Sequence, residues 1–280
     1  MFNLKQLKNI VKNNEINFDK NKNICKLAAQ NGQLDCLKYA LENNFLLNKD
    51  ICTYAAEKGH LECLKYAHVN WCPWDEWTCA YAAEGGHLKI LKYAHKNKCP
   101  WNEMTCTYAA KNGYLNCLKY AHIHRCPWNE DTCTQAAERG HLDCLTYAHT
   151  HGCPWNEDTC SYAAKNGYLD CLKYAHENKC PWDERTCDYA AMKGKLDCLT
   201  YAHKHGCFWN KWTCVYAVEK GHLDCLIFCV ENECPWDEEE CLKIAIEKKD
   251  TLIVNYIQNL LLQKEKKVFN SVNFPNCIIL

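Results

Sequence analysis

The sequence has almost no charge imbalance: 33 lysines and arginines face 34 aspartates and glutamates, a formal charge of −1. A general surface for nucleic acid or another polyanion is thereby excluded, though a local patch is not. Long hydrophobic runs are missing as well. No apolar stretch reaches the roughly 18 residues needed to span a bilayer. The stretch from Met1 to Lys8 holds no secretory hydrophobic region. There is no Cys-x-x-Cys, no Gly-rich phosphate loop and no pair of acids in a singular context.

What the sequence does have is repetition. The stretch from Cys126 to Gly152 reads CPWNEDTCTQAAERGHLDCLTYAHTHG and recurs every 27 residues. Full copies start at Cys72, Cys99, Cys126, Cys153, Cys180, Cys207 and Cys234, and fainter ones at Phe18 and Phe45. A fixed period of this length is the mark of a stacked array, in which each unit contacts mainly its neighbours. Positions within a unit are counted here from one to 27, with Cys72 at position one.

Cysteine is unusually abundant, at 25 residues. Seven cysteines fall at position one, nine at position eight and seven at position nineteen; only Cys229 and Cys277 lie elsewhere. Positions eight and nineteen follow the apolar rhythm of the unit, where a free cysteine acts as a small hydrophobe. Reduced thiols in an intracellular, cytoplasmic protein are therefore expected, rather than a disulfide scaffold.

Local signals within each unit agree. Position four is always Asp or Asn in the seven regular units (Asp75 to Asp237), a good helix N-cap. Position five is glutamate in six of those seven, where the helix dipole favours an acid. Position fifteen is glycine from Gly32 to Gly221, the expected left-handed stop of a first helix. A second helix should follow, with Leu142, Cys144, Leu145 and Ala148 as its apolar stripe. Replacing Gly140 with Val should then disrupt the turn. The ends depart from this pattern. Residues 1–17 read as an N-terminal capping helix, 18–260 as the array and 261–280 as a C-terminal cap or tail.

Ala136-Ala137-Glu138-Arg139-Gly140-His141-Leu142 resembles the A-A-x-x-G-H-x core of the ankyrin repeat. Cys144-Leu145 stands where that family has V-V, and His151-Gly152-Cys153 where it has x-G-A. The resemblance implies an all-α, ankyrin-like helix-turn-helix solenoid of about nine repeats. These units are 27 residues long rather than the family's 33, so the β-hairpin fingers are expected to be shortened or absent. The CPW-x-E-x-T-C-x-x-A-A spelling is similar to repeat sets in giant, mimivirus-like DNA viruses of amoebae. A viral chain would act in the host cytoplasm.

Histidines 68, 95, 122, 149, 176 and 203 form a ladder. Spaced about 10 Å apart, two of them cannot share an ion directly, and helix-end contacts are expected instead. A catalytic thiol needs a singular environment, and repeated cysteines do not supply one. The tryptophans of position three, Trp74 to Trp236, are expected to staple neighbouring units. No catalytic, cofactor or metal residues are therefore assigned, and no enzyme is expected.

Variable positions are the candidates for binding. Trp77, Met104, Asp131, Asp158, Arg185 and Trp212 occupy position six, and Lys111, Arg139 and Lys165 lie just before the turn glycine. Exposed Trp, Met and Arg are typical interface anchors. The expectation is a protein–protein interaction scaffold holding a protein partner, a host protein if the chain is viral, along its concave face. Nucleic acid, membrane and small molecules are not expected partners. One alternative is a Cys/His-rich metal or redox buffer, whose metal stoichiometry would scale with repeat number. Another is an adaptor to host ubiquitin machinery, for which neither end offers an F-box-like recruiting segment.

Overall fold

The computed structural model describes residues 4–12, 18–45 and 47–273, with backbone alone at 10, 18–23 and 268–273. Cys277 and the end of the expected tail, 274–280, lie outside the described residues. Among those described there are 19 helices and no strand. As expected for a shortened or absent finger, none is found among the described residues: between Lys96 and Glu103 a short loop runs directly from one helix to the next.

Each regular unit folds as two short antiparallel helices. In the unit starting at Cys72 they are Glu76–Glu84 and Leu88–Lys96. Helices of nine residues are unstable alone, so packing must hold them. The N-cap expectation is met at most positions. Asp75 accepts from the Trp77 backbone N–H at 3.2 Å, and Asn102, Asn156, Asp183 and Asn210 do the same one unit after another. Asn129 differs: its amide NH2 points at the Asp131 carboxylate and its Oδ1 finds no partner. The turn glycines are left-handed throughout, with φ of +74° at Gly113 and +76° at Gly140. In the last unit Lys249, at φ +58°, takes over that role one residue later.

A second left-handed position closes the second helix, and the sequence disguises it. Asn44, Trp71, Lys98, Arg125, Lys179 and Glu233 all have positive φ at position 27. Glycine takes this place only as Gly152 and Gly206.

Two compact units divide the chain, Met1–Trp155 and Asn156–Leu280. In the first, the helices Lys49–Glu57, Glu76–Glu84, Glu103–Lys111 and Glu130–Glu138 pack closely side by side, while the second helices touch more sparsely. The Ala-Ala pairs at this seam, such as Ala82-Ala83 and Ala109-Ala110, are fully buried and let the backbones approach. In the second unit the first helices Glu157–Asn166, Glu184–Met192, Lys211–Glu219 and Glu238–Glu247 stack in the same way. Helix Leu4–Lys12 packs on Leu34–Glu42 through buried Leu7, and the long helix Thr251–Asn273 packs on Glu238–Glu247.

Neighbouring repeats are sealed by side chains as well as by helix packing. The position-one thiol donates to the N-cap carbonyl of the preceding repeat: Cys72 to Asn48 at 3.1 Å, Cys126 to Asn102 at 3.2 Å, Cys207 to Asp183 at 3.2 Å. This explains why cysteine, and not merely a small apolar residue, stands there. At the turn, His87 donates from Nε2 to the Glu57 carbonyl at 3.0 Å and caps the end of the previous first helix.

The histidine ladder is part of the same seal. His68 stacks on Trp74 with centroids 3.9 Å apart, and its Nδ1 shares a 2.9 Å hydrogen bond with the Tyr93 hydroxyl. The arrangement repeats at His95–Trp101–Tyr120, His122–Trp128–Tyr147 and His176–Trp182–Tyr201. The expected helix-end contact gives way to a tyrosine of the following repeat, and the tryptophan is the staple between them. Burial lowers the pKa of His68, His95, His122, His149 and His176, which favours the neutral imidazole in each stack.

One seal carries a charge. Thr213 donates to the Asp188 carboxylate at 2.6 Å, where Ser161 and Thr186 make the same contact between hydroxyls. Asp188 is 7% exposed, and burial pushes its pKa up to about 6. A raised carboxyl favours folding while protonated. That contribution is complete below the unfolded value near 4 and is lost as pH rises past about 6. Asp188→Asn keeps an acceptor for Thr213 and has no charge to bury. It should gain about 2 kcal/mol over the parent at pH 7 and nothing at pH 3.5, read as urea midpoints at the two pH values.

Candidate binding face

The outer side of the first helices carries the residues that differ between units. In the first compact unit, Trp77 leans on Tyr81 with ring centroids 5.8 Å apart, and Tyr81 on Tyr108 at 6.0 Å. Met104 lies half-buried in the same row of first helices, and the Lys111 ammonium sits 5.8 Å from the Tyr108 ring centre. Asp131 and Arg139 are exposed. An open groove runs beside Trp77, lined by Tyr54, Tyr81, Lys49 and Asp75, with Lys49 and Asp75 paired at 2.9 Å.

In the second compact unit the face is built differently. Arg185 is held by three acids: Nη1 to Asp158 at 2.8 Å, Nε to Asp183 at 2.8 Å, and Nη2 near Glu157 at 3.4 Å. Asp183 and its neighbours hold the guanidinium pKa well above the ordinary arginine value. Arg185 and Asp158 were read from sequence as free anchors, and the structure joins them to each other across one repeat. The Lys165 ammonium lies over Tyr162 and Tyr189, 4.9 and 5.2 Å from their centres. Trp212 is 45% exposed and tilts against Tyr216, with the Lys211 ammonium over its ring.

The nine candidate residues each lie on or at the end of a first helix, but they are not equivalent. Trp212, Asp131 and Arg139 are exposed; Trp77, Met104, Lys111 and Lys165 are half-buried against neighbours; Asp158 and Arg185 form an ion pair. Sequence reasoning passed over the tyrosines of position ten, Tyr54, Tyr81, Tyr108, Tyr162, Tyr189 and Tyr216. All six are half-buried, and within each compact unit they lie against the variable residues. Their signal was an aromatic at every period from Tyr54 to Tyr216 except at Gln135. Trp71 was passed over too. It is 92% exposed and stands in a left-handed position otherwise given to polar residues or glycine.

All 24 described cysteines are buried and unbridged. Burial pushes Cys63 and Cys117 up to about 11, and Cys144, Cys171 and Cys198 up to about 12. Position-eight thiols also meet the position-one thiol of the next repeat, as in Cys52–Cys72, Cys106–Cys126 and Cys187–Cys207. That hydrogen bond, and then burial, raises one partner of each pair.

No described helix is long and apolar enough to cross a membrane. No family model matches the chain, and no curated protein matches it. Among solved structures it is similar to the crystal structure of the human ASB11 ankyrin repeat domain. The TM-score is 0.53 at 16% identity, covering 63% of this chain and 96% of that one. The fold of this chain is therefore an ankyrin-like helical repeat.

Proposed function

We propose that the chain is a non-enzymatic scaffold that holds a protein partner along the exposed side of its first helices, the side that the sequence reading takes as the concave face. The supporting observation is the contrast between frame and face. The seals between repeats reuse the same Cys, His, Trp and Tyr, whereas position six changes from Trp77 to Met104 to Asp131 and from Asp158 to Arg185 to Trp212. Half-buried tyrosines beneath these residues supply rigid aromatic area at small ordering cost on binding. The array spans 18–260 in this reading, with caps at 1–17 and 261–280. We place it with the CPW-type arrays of giant viruses on the spelling of its repeat, which would put the partner in host cytoplasm.

The test is affinity capture with two versions of the tagged chain, the parent and Trp77→Ala/Met104→Ala/Trp212→Ala. A partner retained by the parent and reduced at least tenfold by the variant, at unchanged helical circular dichroism, supports the face. Equal retention by both would place binding elsewhere, with exposed Trp71 the next residue to change.

A further inference from the structure

One repeat departs from the others at three neighbouring places. In the unit starting at Cys207, Phe208 replaces the usual proline, Phe228 the usual tyrosine and Cys229 the usual alanine. Ala67, Ala94, Ala121, Ala148, Ala175 and Ala202 occupy the place of Cys229 in the preceding units. The ordinary position-eight and position-one thiol pair is here Cys214 and Cys234, and Cys229 adds a third sulfur to it. The three Sγ atoms lie within 4.8 Å of one another. Cys214 and Cys229 are 0% exposed and Cys234 is 3% exposed.

We propose that Cys214, Cys229 and Cys234 form a single buried three-sulfur site for a soft monovalent metal ion, Cu(I). Three sulfurs around an ion at about 2.3 Å stand about 4 Å apart when the ion lies in their plane. The observed spacing needs only a small contraction. Soft thiolates select Cu(I). A closed zinc site takes four ligands, and among the described residues this cluster offers three.

Cys234 Sγ also donates to the Asn210 carbonyl at 3.4 Å, a contact it gives up when it binds an ion. Phe228 has no hydroxyl, so His203 cannot make the tyrosine contact that its counterparts make. On binding, Cys214, Cys229 and Cys234 each release one proton to the buffer, and the three thiolates displace the acetonitrile that carried the Cu(I). Neither copper nor sulfur changes oxidation state.

The test titrates the reduced full chain with Cu(I), supplied as its acetonitrile complex, against the chelator bicinchoninate. One ion per chain should be held, with X-ray absorption showing three sulfurs at about 2.3 Å. Cys229→Ala restores the residue of the other repeats, so the variant should fold, and its Cu(I) affinity should fall at least tenfold. Ala202→Cys places a third thiol beside Cys187 and Cys207 and should add a second ion. The proposal is overturned if the parent holds no ion. It is equally overturned if Cys229→Ala binds as the parent does, or if several equivalents bind alike and track the two-thiol pairs.

Discussion

Gly113→Val should lower stability by about 3 kcal/mol, whereas Gly152→Val should cost about 1 kcal/mol, although both glycines are left-handed. Gly113 has φ +74° and Gly152 φ +82°, so the backbone penalty for a β-branched residue is shared. The surroundings separate them. A Cβ at Gly113 would lie 2.6 Å from Nδ1 of His141, the ring that folds over this turn from the next repeat. A Cβ at Gly152 would meet nothing within 4 Å. Lys98, Arg125 and Glu233 already occupy the position of Gly152 in other units, which shows that side chains are accommodated there. Urea unfolding of the two variants is the measurement. Equal losses would mean that the approach of His141 contributes nothing and that backbone conformation alone fixes glycine at the turn.

The comparison between sequence and structure turns on distance along the chain. Asp75 capping Trp77 and Gly113 ending its helix are local events, settled within a few residues, and the sequence displays them openly. The seals between repeats join residues 24 to 30 apart: Cys72 to Asn48, His68 to Tyr93, His87 to Glu57. A perfect period says that each unit meets an equal neighbour, but not which atoms meet. The histidine ladder therefore read as a set of helix-end contacts, and the position-one cysteine had no role of its own. The binding face was obscured for a related reason. Position six read as exposed throughout, yet Arg185 reaches back one repeat to Asp158, which no local pattern announces. Position 27 hid its left-handed backbone behind lysine, arginine and tryptophan, residues that seldom adopt it. Cys229 was visible as an exception to the columns. Its meaning required knowing that the alanine it replaces lies beside a thiol pair.

Trp128→Ala tests whether the aromatic staple or the helix seam couples the repeats. Trp128 stacks on His122 at 4.1 Å with rings 9° from parallel, and His122 in turn holds the Tyr147 hydroxyl at 2.9 Å. Truncation removes a large half-buried ring and its stack, and leaves His122 facing water on one side. A loss of about 3 kcal/mol is expected, below the range for a fully buried tryptophan. Tyr147→Phe should cost only about 1 kcal/mol, because it removes one hydrogen bond and keeps the ring. The protein contains its own version of that substitution: opposite His203 stands Phe228, and Trp209 still stacks on the histidine at 3.8 Å. The tryptophan stack therefore persists without the hydroxyl, which predicts the order of the two losses. The slope of the urea transition carries further information. If the staple couples neighbours, Trp128→Ala should also broaden the transition, since repeats that no longer unfold together expose less surface in each step. A full-slope transition shifted no further than that of Tyr147→Phe would assign the coupling to the alanine seam between first helices, and the tryptophan would be only a cover for the loop.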